Sequence, residues 1–88
     1  MMIETLTQAR LTMTAADFEA LRAKHDTSHG SPFDRGEADF YYWRPSQPHY
    51  RPRNNPQVNE DQMTPEQIQA YKDGYAYGEF FGDRKDYN

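Results

Sequence analysis

The sequence predicts a small, mainly α domain of three helices, with a long proline-rich loop and an N-terminal strand. Three observations lead there. Ser31-Pro32 and Thr64-Pro65 each set a capping residue directly before proline, the pattern that opens helices. Apolar residues after both starts recur at helical intervals. Between the two, 44–63 holds Pro45, Pro48, Pro52 and Pro56 with no apolar period.

The elements follow in order. Thr7, Ala9, Leu11 and Met13 alternate with Gln8, Arg10 and Thr12, a strand period. Thr14 with Asp17 at the third helical position forms a capping box, and Phe18, Leu21 and His25 recur behind it, so a helix is expected over 15–25. Gly30 then offers a residue that turns through positive φ without cost. The second helix is expected over 32–43, with Phe33, Gly36, Phe40 and Trp43 on one face until Pro45 stops it. Residues 44–63 are expected to be irregular or polyproline-like. The third helix is expected over 65–82, with Ile68, Tyr71, Gly74, Tyr75, Gly78 and Phe81 on one side, and 83–88 forms a polar tail. The expected core is Leu11, Phe18, Leu21, Phe33, Phe40, Trp43, Ile68, Tyr71, Tyr75 and Phe81.

Two of these helices share a pattern. Phe33-x-x-Gly36-x-Ala38-x-x-x-Tyr42-Trp43 aligns with Tyr71-x-x-Gly74-x-Ala76-x-x-x-Phe80-Phe81. Glycine inside a helix costs up to about 1 kcal/mol relative to alanine. Gly74, Gly78 and Gly82 repeat that cost on one stripe, which implies close approach of another backbone or of a ring face.

Size and composition narrow the function. Eighty-eight residues form one domain over 1–88, and aromatics, at 15% of the chain, supply core area that aliphatics lack. There is no cysteine, hence no disulfide or cysteine-ligated metal. No apolar run nears the roughly 18 residues that span a membrane, and MMIETLTQAR has no signal-peptide layout, so the expected place is the cytoplasm. The three serines, Ser28, Ser31 and Ser46, and the three histidines, His25, His29 and His49, form no local catalytic signature; no enzyme is expected and no cofactor. His25 and His29 stand four apart, a metal-pair spacing on a helix, but His29 lies past the expected helix end, so no metal is expected either.

The net charge of −4 is distributed unevenly. Residues 44–59 carry Arg44, Arg51 and Arg53 and no acid, between two acidic blocks. With His49 and Tyr50, these arginines form a loop that could bind phosphate and bases, pair with the acidic helices of the same fold, or touch a partner protein. The acids are spaced along helices: Asp34, Glu37 and Asp39 on the second, Glu66, Asp73 and Glu79 on the third. Carboxylates so spaced can imitate a row of phosphates. The sequence thus points first to a protein partner, with direct nucleic acid as the alternative, and it leaves self-association open.

The run Ser31-Pro32-Phe33-Asp34-Arg35-Gly36-x-Ala38-Asp39-x-Tyr41-Tyr42-x-Arg44, with Pro48-His49-Tyr50 and Met63-Thr64-Pro65-Glu66-Gln67, resembles small accessory proteins encoded by tailed bacteriophages. The resemblance covers most of the chain from Gly30 onward. It implies action on host machinery, for which DNA mimics that block gyrase, polymerase or defence nucleases are the precedent. The expected function is therefore inhibition of a host DNA-transacting enzyme, gyrase first, by acidic helices. The alternative is a nucleic-acid or ribosome-binding module, or an assembly partner. The paired aromatic-x-x-Gly-x-Ala pieces are also similar to ribosome modulation factor, a small helical ribosome binder; that class is strongly basic, and this chain is acidic.

Overall fold

The computed structural model of the protein describes residues 12–82 and 84–87. Three helices dominate: α1 (Ala15–Ala23), α2 (Pro32–Tyr41) and α3 (Pro65–Phe81). Their starts are built as the sequence expects. Thr14 and Asp17 close a reciprocal capping box on α1, and Thr64 and Gln67 close one on α3, each satisfying two orphan donors. Ser31 caps α2 by accepting from the Asp34 N–H at 3.2 Å.

The ends come earlier than the periodicity suggests. α1 stops at Ala23, where the Lys24 and His25 N–H groups fall back on Leu21 and Arg22. α2 stops at Tyr41. Trp43 adopts φ +63, and the N–H groups of Trp43 and Arg44 reach back to the carbonyls of Phe40 and Asp39. That is the left-handed end turn that glycine usually forms. α3 ends in the ordinary way, on Gly82 at φ +67. A Cβ there would meet nothing within 4 Å, so Gly82 ends the helix and takes no part in the close approach expected of the glycine stripe.

α2 and α3 run side by side in the same direction, as their contacts show. A Cβ on Gly74 would overlap the Phe33 carbonyl, one on Gly36 would overlap the Tyr71 carbonyl, and Gly78 faces the Phe40 ring. The two repeats therefore meet reciprocally, each glycine against the other repeat's leading aromatic. Phe33 and Tyr71 are the most deeply buried large side chains. α1 lies antiparallel along α3, with Phe18 stacked on Phe80 at 4.4 Å, Arg22 over Tyr77 at 5.7 Å and His25 bonded to Asp73 at 2.9 Å.

The proline-rich loop is more ordered than expected. His49–Tyr50 (β1) pairs antiparallel with Val58–Asn59 (β2), in the register His49 to Asn59 and Tyr50 to Val58. A 3-10 turn over Glu60–Gln62 leads into buried Met63. The ribbon is held to the domain where the Arg51 N–H donates to the Gly30 carbonyl at 2.8 Å.

Several expectations need correction. Of the expected N-terminal strand, residues 7–11 lie outside the described residues; Thr12 sits in a turn and Met13 in no regular element, so a strand has no support. Phe18, Phe33, Phe40 and Tyr71 are core, while Leu21, Ile68 and Tyr75 are half-buried. Trp43 and Phe81 are exposed, at 57% and 43%, because both fall at or past the helix ends. Leu11 lies outside the described residues.

Candidate functional site

Asp39 is only 3% exposed, and it organises the loop. Its Oδ1 accepts from Arg44 Nε at 2.7 Å, and its Oδ2 accepts from the Tyr71 hydroxyl. The same hydroxyl oxygen accepts from the Gln47 N–H at 3.0 Å. His49 packs against the Tyr71 ring, with Nδ1 donating to the Gln47 carbonyl at 2.8 Å. Its Nε2 accepts from Arg35 Nε at 3.2 Å; guanidinium has no acceptor, so this imidazole is the neutral Nδ1–H tautomer. Asp39, Arg44, Tyr71, His49 and Arg35 thus form one network that fastens the loop to α2 and α3.

A second buried acid, Asp73, is 8% exposed. It accepts from His25 on one oxygen and from Gln69 at 2.8 Å on the other. Two of the six acids expected on the surface are therefore buried. Asp39 and Asp73 turn inward, Asp34 accepts from the Gly30 N–H at 2.8 Å, and Glu37 stands 3.6 Å from Arg22. Burial pushes the Glu37 carboxyl up, with the Arg22 guanidinium working against it. Glu66 and Glu79 are exposed, but thirteen residues of helix at 1.5 Å each separate them by about 20 Å.

The basic residues also divide. Arg44 and His49 belong to the network. Tyr50, Arg51 and Arg53 line a groove of about 900 Å3 with Pro32, Pro52 and Ala70, at the end where α2 and α3 begin. His25 and His29 diverge: the first meets Asp73, and the second is almost fully exposed. Among the described residues no set of three or more histidines and acids is arranged to hold a metal ion.

The opposite end, where α2 and α3 finish, is aromatic. Tyr42, Trp43, Phe80, Phe81 and Tyr87 are all more than 40% exposed. The Arg84 guanidinium lies between Phe40 and Trp43, 4.0 and 4.1 Å from the two rings. Trp43 donates through Nε1 to the Lys85 carbonyl at 2.9 Å, which ties down the tail. Aromatic and arginine side chains together are the composition of binding hot spots.

Two tyrosines are shifted. Burial, reinforced by the bond to Asp39, pushes the Tyr71 hydroxyl far above its usual value. The bond to Glu19 pushes Tyr77 up to about 12. A raised folded value means that this stability is fully present below the unfolded value of about 10 and fades as pH rises through the folded one. Alkaline titration of tyrosinate absorbance is expected to show these two ionising last, with unfolding setting in above pH about 10. Removing the hydroxyl in Tyr71→Phe shifts that onset upward.

Of the sequence readings of the loop, pairing with the fold's own acidic helices is the one Arg44 and Asp39 display; the part played by Tyr71 and the aromatic end were missed. Comparison with protein-family models, with curated proteins and with solved structures finds no match for this chain.

Proposed function

We propose that this is a non-enzymatic accessory protein, of the kind tailed phages encode, that docks its aromatic end on a host protein in the cytoplasm and inhibits it. Trp43 carries the reading. It is the most exposed large residue of α2's end turn and holds a backbone conformation that costs an L-residue roughly 1–2 kcal/mol. Glycine would end the helix at lower cost. A tryptophan displayed there, beside exposed Tyr42, Phe80 and Phe81, offers a contact surface in addition to tying down the tail.

A DNA-transacting enzyme such as gyrase remains the proposed target, but phosphate imitation is no longer the proposed means. Asp39 and Asp73, two of the six acids read as a row, are turned inward, which favours the aromatic end over the acids as the contact. The test measures inhibition of supercoiling by purified gyrase, and binding to it. Trp43→Gly is expected to weaken both about tenfold or more, which is at least about 1.4 kcal/mol, with the melting temperature retained. The charge-neutral pair Glu66→Gln and Glu79→Gln is expected to change them by less than about threefold. The converse pattern restores DNA mimicry, and indifference of gyrase to the wild-type protein removes it as the target.

A further inference from the structure

We infer that the groove of about 900 Å3 at the starts of α2 and α3 is a nucleotide site, taking a base with amino donors and at least one phosphate. This inference is independent of docking at the aromatic end. The volume lies within the range of about 300–1,000 Å3 usual for ligand pockets.

The walls divide the labour by charge. Arg51 and Arg53 come from the loop, and Asp26 and Glu66 come from other elements, the α1–α2 connection and the first turn of α3. The Arg51 Nε donates to Gln57 Oε1 at 3.2 Å, outside the groove's lining. The Arg53 side chain has no partner among the described residues. Guanidinium groups match phosphate oxygens bidentately. Carboxylates accept from exocyclic amino groups of bases, and Ser28 holds the Asp26 carboxyl below the usual range, so it stays an acceptor. Between the charges lie Pro32, Pro52, Ala70 and the Tyr50 ring, surfaces on which a base face can lie.

The site is also built to keep its shape. Gly30 adopts φ +89, and a Cβ there would overlap the Arg51 carbonyl. Gln67 Nε2 donates to the Tyr50 hydroxyl at 3.2 Å, which fixes the ring against α3. A peptide would also meet both charges, but paired guanidinium groups for a phosphate beside carboxylates and apolar surfaces for a base suit a nucleotide.

The test is calorimetric titration of the full chain with guanosine monophosphate, uridine monophosphate, guanosine, inorganic phosphate and a short single-stranded oligoguanylate. Guanosine monophosphate is expected to bind at least tenfold more tightly than guanosine or phosphate alone, and more tightly than uridine monophosphate, which lacks an amino group. Arg51→Gln with Arg53→Gln is expected to abolish that advantage over guanosine, and Asp26→Asn with Glu66→Gln the advantage over the uridine compound. Because all four residues lie on the surface, unchanged circular-dichroism melts keep these variants interpretable. Tighter binding of the oligonucleotide makes the source a strand, and equal binding makes it a free nucleotide. Binding of an acidic, proline-containing peptide but of no nucleotide overturns the inference, as does equal binding of all the small probes. Trp43→Gly leaves nucleotide binding intact, so failure here and failure of docking are told apart.

Discussion

Gly74→Ala is expected to destabilise the fold by about 3 kcal/mol, a fall of about 15 °C in melting temperature for a domain of this size. At an ordinary exposed helix position the same change would stabilise by up to about 1 kcal/mol. Here the added methyl meets the Phe33 main chain, which belongs to α2 and cannot turn aside as a side chain would. Gly36→Ala is expected to behave alike, since its methyl meets the Tyr71 carbonyl and the Tyr75 N–H. Gly78→Ala is the internal control. Its methyl would lie 3.0–3.1 Å from atoms of the Phe40 side chain, which can yield by a few tenths of an ångström, so the net change stays within about 1 kcal/mol. Gly78→Leu remains disruptive by volume. Thermal melts of the three alanine variants decide the matter, and equal stability in all three would show that the helices do not cross at Gly36 and Gly74.

Asp39→Ala is expected to cost about 2–3 kcal/mol, concentrated on one partner. Arg44 is half in solvent, so water takes its guanidinium back at little cost. The Tyr71 hydroxyl is buried against the loop and loses its acceptor. Denaturant unfolding measures the cost, and hydrogen exchange locates it: the Gln47 N–H, which donates to that hydroxyl, is expected to exchange faster while the centre of α3 stays protected. Asp39→Asn keeps an acceptor oxygen and is expected to cost about half as much. Wild-type stability in Asp39→Ala would show that the network does not hold the loop.

The parts of the fold that could be read from the sequence are those written in local chemistry. Ser31-Pro32, Thr14 with Asp17 and Thr64 with Gln67 act within one turn of chain, and all three caps form. Close approach was legible at Gly74 and Gly78 from the glycine stripe of α3, but the reading extended it wrongly to Gly82 and did not extend it to Gly36, the matching glycine of the repeat. The direction of the two helices was not legible, because nothing in a repeat says whether its copies lie parallel or opposed. Trp43 falls on a core face only if α2 continues, and the turn that stops it depends on hydrogen bonds from Trp43 and Arg44 back to Phe40 and Asp39. Asp39 and Asp73 look like surface acids by helical spacing. Their partners, Tyr71 and His25, stand 32 and 48 residues away, beyond any pattern of intervals. Tyr50, Arg51 and Arg53, neighbours in the sequence, line one groove, while Asp26 reaches the same cavity only through the tertiary fold.

The common direction of α2 and α3 bears on how the protein assembles. Two opposed helices joined by a short turn can zip from that turn, each contact shortening the search for the next. Helices that run the same way have no such starting point, and every contact between them waits for the chain to close around the loop. Closure entropy grows slowly with length, but it must be overcome before any crossing contact forms, and folding slows as contacts become less local. The β1–β2 ribbon changes the search. Its paired residues lie close in sequence, so its pairing shortens the free chain between the end of α2 and the start of α3. The Arg51 bond to Gly30 then brings that chain back to where α2 begins. A segment that resembles a mere connection, rich in prolines and short of apolar groups, then acts as the splint that sets the pace of folding.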